Sequence, residues 1–368
     1  MVQRKNFLSH LEVPSYEVED LPIEEIQRLT KQSKVAKLSF NESPYGASPK
    51  VKLGIEKAYQ EISKYGDPYQ RELVEAIGNY TGQPTDHIIF GNGADELIDL
   101  VCRAFVGPGD EVLVPMPIFG TYLMDPLISG AQVKMIPIQE GLEIDLQKVS
   151  EGITEKTKVI GLCNPNNPTG RILPTSEIVE WLKTVPSHIL VVVDEAYAEY
   201  VVEDSSYYPM WKELKSFSNL IILRTFSKVF GLPSLRLGYG LANPPIVHSI
   251  EICRKIANVN SFAALAGVAA LDDMDFVKQV VEKNRQEREK LAGALESFGF
   301  VVLPSQTNFL MVRVGESADE LWNHLKERGI FTRMGWGLTD YIRISLGSKE
   351  ENDWLIEEIR LWLDLKKG

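Results

Sequence analysis

Apolar residues recur along this chain in two alternating rhythms. Short unbroken runs, many of them β-branched, stand at HIIF (87–90), EVLVP (111–115), QVKMIPI (132–138), KVIGLC (158–163), ILVVVD (189–194), LIILRT (220–225) and LGYGLA (237–242). Between several of them lie stretches such as ADELIDLVCRAF and SEIVEWLKTV, in which apolar positions return every three or four residues, the spacing of one helix face. A strand that is apolar on both sides must be covered on both sides. The pattern therefore predicts an α/β fold over residues 46–250: a three-layer α/β/α arrangement around a mainly parallel seven-stranded sheet.

Past residue 250 the rhythm changes. A connecting helical region (251–275) leads into the long charged amphipathic stretch 272–299, followed by FVVLPSQTNFLMVRV, ADELWNHLKERG, IFTRM, YIRISLG and EENDWLIEEIRLWLDLKK. Strand, helix, strand, strand, helix reads as a smaller α+β domain over 276–368. Residues 1–45 are expected to form an arm that packs with this domain or across a neighbouring subunit.

Composition narrows the function classes. With 39 basic and 51 acidic residues the net charge is −12, which disfavours a binder of nucleic-acid backbones, because such binding needs a cationic face. No run approaches the roughly 18 apolar residues that span a bilayer, and the first residues lack a secretory signal pattern, so a cytoplasmic protein without membrane or nucleic-acid partners is expected. The three cysteines, Cys102, Cys163 and Cys253, are far apart among apolar residues and read as reduced buried thiols. The five histidines fall in unrelated segments, so no metal site is expected.

In a parallel α/β sheet, ligands sit beyond the carboxyl ends of the strands, so the residues following each run are the place to look for chemistry. After HIIF comes GNGADE, two glycines before a helix, a geometry that offers backbone N–H groups to an anion. After KVIGLC comes NPNNPTG (164–170), whose prolines are expected to stiffen the loop so that the amides of Asn164, Asn166 and Asn167 are presented. Asp194 ends a buried strand, where a carboxylate is costly unless it meets a cation or a hydrogen-bond donor. RTFSKVFGLPSLRLGYG (224–240) then spaces Thr225, Ser227, Lys228 and Arg236 through apolar neighbours.

Judged singly, each residue has an ordinary structural explanation; together they define a ligand. A phosphate takes the helix start, the hydroxyls and Arg236; a pyridinium nitrogen takes Asp194; a phenolic oxygen takes Asn167 and Tyr197; an aldehyde takes Lys228. That ligand is pyridoxal phosphate. A lysine desolvated beside other cations has a depressed pKa and becomes nucleophilic near neutrality.

These segments resemble the fold type I pyridoxal-phosphate enzymes and, within them, the histidinol-phosphate aminotransferase group. The likeness runs through AKLSFNESPYGASPKV, KYGDPYQRELVEAIGNYTG, GNGADELIDL, NPNNPTG, DEAYAEY, RTFSKVFGLPSLRLGYG and YIRISLGSKEEN. It implies that Lys228 forms the Schiff base with the cofactor and later moves the substrate proton, that Asp194 keeps the ring nitrogen protonated, and that Asn167 and Tyr197 bond the ring oxygen. It also implies that Phe119 stacks on the ring, and that the phosphate is held by the Ala94 and Asp95 amides, Thr225 or Ser227, Arg236 and, from the neighbouring subunit of a homodimer, Tyr65. Arg343 and Arg333 would grip the anionic groups of substrates, with Ser43 and Tyr45 on the substrate side. Ser43 stands where the group often has asparagine.

The activity implied is a two-stage transamination in which an amino donor and a 2-oxo acid visit one pocket in turn, most simply histidinol phosphate and 2-oxoglutarate. An aromatic or broad-specificity α-amino acid aminotransferase, with GWG (335–337) lining an apolar pocket, and a threonine-phosphate decarboxylase are the alternatives left open by the substrate-side residues.

Overall fold

The structure is a computed structural model that describes residues 21–137 and 141–367. Its strands, in chain order, are β1 (Ala36–Lys37), β2 (Ile88–Gly91), β3 (Glu111–Met116), β4 (Gln132–Pro137), β5 (Thr157–Cys163), β6 (Leu190–Asp194), β7 (Leu220–Thr225), β8 (Gly238–Ala242), β9 (Val301–Val302), β10 (Phe309–Arg313), β11 (Ile330–Phe331), β12 (Arg333–Gly335) and β13 (Leu338–Ser345). Seven of them form one sheet in the order β2-β8-β7-β6-β5-β3-β4. The run β7-β6-β5-β3-β4 is parallel throughout, while β8 is antiparallel to both of its neighbours, β7 and β2.

Both faces of this sheet are apolar, and successive strand residues alternate between them. Ile160, Leu162, Val191, Val193, Leu220 and Ile222 belong to one buried cluster. Val159, Cys163, Leu190, Val192, Ile221 and Leu223 belong to the other, beneath the helix Ala94–Phe105. An unbroken apolar run is thus the sequence form of a strand with a core on each side.

A second, antiparallel sheet, β12-β13-β10-β9, packs with the long helix Met274–Ser297, the helix Ala318–Glu327 and the C-terminal helix Lys349–Lys367 around a separate core that includes Leu310, Ile342, Ile344, Leu355 and Trp362. Asp273 caps the long helix by accepting from the Phe276 amide.

IFTRM, expected as one strand, divides into β11 and β12. β11 pairs in parallel with β1, so it belongs to a different two-stranded ribbon from β12. This ribbon ties the segment after β1 to the second sheet: Leu38 N donates to Phe331 O (2.7 Å), and Ser345 N, at the end of β13, donates to Leu38 O (3.0 Å). Of the expected N-terminal arm, residues 1–20 lie outside the described residues, as does Ile138 at the end of the expected third run, QVKMIPI. No helix among the described residues is long and apolar enough to cross a membrane.

Candidate active site

The carboxyl ends of β5, β6 and β7 open into a cavity of about 820 Å³. Ala94, Asp95, Phe119, Asn167, Asp194, Tyr197, Thr225, Ser227, Lys228, Arg236, Arg333 and Arg343 all line it. Those from Ala94 to Arg236 come from distant parts of the sequence and meet because each ends or follows a strand or begins a helix at one edge of the main sheet, while Arg333 and Arg343 reach the cavity from β12 and β13 of the second sheet.

One end of the cavity is built for an anion. The helix Ala94–Phe105 has Gly93 as its N-cap, at φ 88 and with no side-chain cap, so its first-turn amides remain available. A Cβ on Gly93 would fall 2.4 Å from Arg236 Nη2, and one on Gly238 would fall 2.4 Å from Ala94 N. Glycine at both positions is therefore what lets β8, the helix start and the guanidinium approach one another. Arg236 is held by Asp95 Oδ2 (2.9 Å) and by the Pro233 carbonyl (3.0 Å), and the Thr225 hydroxyl accepts from Ser227 N (3.0 Å).

Asp194 is 6% exposed at the end of β6, and burial pushes its carboxyl up to about 7. Its Oδ1 accepts from Ala196 N (3.1 Å), and Oδ2 accepts from the Tyr122 hydroxyl (3.4 Å). Lys228 is half-buried; its Nζ donates to the Phe40 carbonyl (3.0 Å) and stands 5.7 Å from the centre of the Tyr197 ring. Desolvation first, then the positive charge of Arg343, brings its pKa down to about 8, so a substantial fraction of the amine is neutral near physiological pH.

The NPNNPTG loop differs from the expectation that three amides would be presented. The backbone amides of Asn164 and Asn166 are used within the fold, donating to Asp194 O (2.9 Å) and Arg171 O (2.8 Å). Their side chains staple the loop as well: Asn164 exchanges hydrogen bonds with the Leu173 backbone, and Asn166 Nδ2 donates to Thr169 Oγ1 (3.0 Å) and Pro117 O (3.3 Å). The reason is burial, since all three asparagines are nearly enclosed and an unpaired amide there is costly. Of the three, Asn167 alone lines the cavity.

Asn167 Oδ1 accepts from Arg343 Nη1 (2.6 Å), and Arg343 also donates to the Ser39 carbonyl. Arg343 lies with its guanidinium 5.0 Å from the Trp336 ring centre and 5.4 Å from that of Phe309; its buried Nε has no hydrogen-bond partner among the described residues. Desolvation, partly offset by Tyr197, lowers its pKa to about 10.

Three expected site residues lie outside this cavity. Tyr65 is 99% exposed and lines a separate depression of about 400 Å³ with Lys64, Asp67, Arg71 and Ser261. Tyr45 packs against the main core with Lys283 5.5 Å above its ring, and burial pushes its phenol up to about 12. Ser43 is half-buried, and its hydroxyl has no hydrogen-bond partner among the described residues. Among the cysteines, Cys102 and Cys163 are buried, whereas Cys253 is only half-buried because it ends a helix at the surface.

The Aminotransferase class I and II family model matches residues 33–359. The chain belongs to the class I and II aminotransferase family. It is 41% identical over 334 residues to the histidinol-phosphate aminotransferase of Halalkalibacterium halodurans, covering 90% of each chain. It is 40% identical over 340 residues to that of Geobacillus thermodenitrificans, covering 92% of each. Among solved structures it resembles histidinol-phosphate aminotransferase from Sinorhizobium meliloti in complex with pyridoxal-5'-phosphate, with a TM-score of 0.89, 28% identity and coverage of 98% and 99% of the two chains.

This aminotransferase also carries site residues that the sequence reading passed over. Asn41, at φ 57, donates through Nδ2 to the Tyr197 hydroxyl (2.9 Å), accepts from Ser345 Oγ (2.7 Å) and receives Asn308 Nδ2 at its carbonyl (2.8 Å). It ties the phenol on the main sheet to the end of β13, two residues beyond Arg343. The available signal was an asparagine immediately before a glutamate in SFNESP, a residue type that tolerates positive φ. Tyr122 and Cys163 likewise sit beside or at the cavity, and Trp336, from the GWG segment expected on the substrate side, lines it.

Proposed function

We propose that this aminotransferase binds pyridoxal phosphate and transfers the amino group of histidinol phosphate to 2-oxoglutarate, acting as a cytoplasmic homodimer with a large body over 46–250 and a smaller one over 276–368. The observation that carries the proposal is the convergence in one cavity of a half-buried amine with pKa about 8, a buried carboxylate and a glycine-floored anion cradle. The donor set fits the cofactor: uncapped helix amides, two hydroxyls and an arginine suit a phosphate, and the chemistry of Asp194 suits a ring nitrogen. When bound, pyridoxal phosphate supplies an aldehyde that takes up amino groups and a ring that withdraws electrons from the carbon being deprotonated.

The chain's residues then have distinct tasks. The Ala94 and Asp95 amides, Thr225, Ser227 and Arg236 hold the phosphate; Phe119 covers the ring; Asn167 and Tyr197 bond its oxygen; Asp194 holds a proton at its nitrogen. Lys228 Nζ would take the proton from the donor carbon that bears the amino group and deliver it to the cofactor carbon that carried the aldehyde. Arg343 meets the anionic end of each substrate through its planar fork, with Arg333 as a second cation in the same cavity.

Histidinol phosphate is favoured by the relatives of the two preceding comparisons and by this pair of arginines, which suits a dianion. The homodimer is supported by Tyr65, which is fully solvated in one chain beside exposed Tyr59, Ile62 and Tyr69, and so is free to serve a second subunit. The test is a half-reaction screen: holoenzyme mixed separately with histidinol phosphate, phenylalanine, glutamate and phosphothreonine, following the visible band of the bound cofactor. Rapid change with histidinol phosphate and glutamate is expected; silence toward histidinol phosphate beside rapid conversion of phenylalanine, or carbon dioxide release from phosphothreonine, would overturn the substrate assignment.

A further inference from the structure

Asp194 is buried without a cation at hydrogen-bonding distance among the described residues. Three of the cavity's cations are engaged elsewhere: Arg236 with Asp95, Arg343 with Asn167 and Ser39, and Lys228 with the Phe40 carbonyl. The other titratable groups around Asp194 are Asp95 from the helix Ala94–Phe105, Cys163 at the end of β5, Glu195 and Tyr197 on its own segment, and Tyr122 from the helix Thr121–Ile128. Asp95 and Glu195 oppose ionisation of Asp194, and burial holds the Cys163 thiol and both phenols protonated. What favours the charged carboxylate is therefore hydrogen bonding from neutral donors.

Tyr122 is the side chain best placed to do this. It is 2% exposed and does not line the cavity, although Phe119, Gly120, Thr121 and Met124 around it do. Its hydroxyl reaches Asp194 Oδ2 from behind (3.4 Å), with Cys163 Sγ at 4.0 Å from the same oxygen. The ring lies against the bare backbone of β5: a Cβ on Gly161 would stand 2.8 Å from Tyr122 Cδ1 and 3.0 Å from Cε1. Gly161 thus opens the slot in which the phenol reaches the aspartate.

We infer that Tyr122, seated on Gly161, is a positioning residue that orients Asp194 and keeps its carboxylate ionised toward the cavity, so that Asp194 can hold a proton on the cofactor ring. The inference rests on the proposed function. Tyr122 acts through Asp194 alone, and its own proton stays in place throughout.

The test is Tyr122→Phe in the holoenzyme, a change that keeps the ring and removes only the donor. Losing a hydrogen bond to the charged form makes that form less favourable, so the carboxylate ionises at higher pH. The acid-side limb of the rate profile should move up by about one pH unit and the dissociation constant of pyridoxal phosphate should rise about tenfold, with Tm essentially that of the parent. In the full chain without cofactor, the infrared titration of the Asp194 carboxyl should shift in the same direction. Gly161→Ala, which expels the ring by a different route, should reproduce the shift. An unmoved acid limb and an unmoved carboxyl titration would overturn the inference, and a lowered Tm with an unmoved limb would assign Tyr122 to packing alone. If the parent bound no cofactor, the proposed function would fall, and the carboxyl titration would still decide the role of Tyr122.

Discussion

Arg224 offers a quantitative test of how the site is held. Its side chain is 2% exposed and lies between two enclosed carboxylates: Nη1 donates to Glu195 Oε2 (2.8 Å) and Nη2 to Glu199 Oε1 (2.5 Å). The guanidinium stands 4.6 Å from the Trp211 ring centre, and Glu195 Oε1 also accepts from the Tyr207 hydroxyl (3.0 Å) and Met210 N (2.8 Å). Glu195 directly follows Asp194, and Arg224 directly precedes Thr225, so the cluster fastens together the strand ends that carry two cavity residues. Arg224→Met removes the cation and leaves both carboxylates buried. Breaking a buried pair from one side costs about 3–5 kcal/mol, a large share of the roughly 5–15 kcal/mol that holds a fold together.

The pH dependence of that loss has a definite sign. Burial already raises the Glu195 carboxyl above its usual range, and without Arg224 it rises further. A folded pKa above the unfolded value means that stability is fully present below the unfolded glutamate pKa of about 4.3 and is lost as pH rises through the folded pKa. Urea unfolding of parent and variant should therefore show a larger deficit near pH 7 than near pH 5, and adding Glu195→Gln and Glu199→Gln should restore much of it. A deficit below about 1 kcal/mol, the size of an exposed pair, or one independent of pH, would refute the reasoning.

Further expectations concern the cavity itself. Gly238→Ala puts a methyl 2.4 Å from Ala94 N, where only backbone can yield; equilibrium dialysis should show weakened binding of pyridoxal phosphate, and unfolding should show a loss of about 1–3 kcal/mol. Arg343→Lys keeps the charge but loses the planar fork; steady-state kinetics should show KM for the 2-oxo acid rising by about tenfold or more, with a smaller change in kcat. For the cofactor-free chain, the rate of cofactor capture followed by stopped flow should climb with pH and level off above the Lys228 pKa of about 8; a rise centred near the ordinary lysine value of about 10.4 would contradict the desolvated amine.

Much of this architecture was legible because burial on two faces leaves a plain mark. The apolar runs mapped onto β2 through β8 within a residue or two at either end. The antiparallel β8 was not legible, since strand direction depends on the length and path of a connection rather than on the residues within the run. IFTRM split because β11 pairs with β1, hundreds of residues earlier in the chain, information that no local window contains, whereas β12 turns directly into its own partner β13. At the site, residues whose chemistry is unusual for their neighbourhood stood out, such as Lys228 among apolar residues and Asp194 at a strand end. Tyr122, Asn41 and Arg224 did not, because each resembles an ordinary member of its own element until tertiary contacts bring Asp194, Tyr197 and Glu195 against it. In NPNNPTG the composition indicated a rigid polar loop, but only the fold shows that two of its asparagines are spent on holding the loop closed.

The most direct test of the central claim follows the amino nitrogen. Holoenzyme incubated with histidinol phosphate carrying an isotopically labelled amino group and with 2-oxoglutarate should deliver the label into glutamate, while Lys228→Ala, folded and loaded with cofactor, should deliver essentially none. Label that stays on histidinol phosphate in the parent protein, or transfer that survives intact in Lys228→Ala, would contradict it.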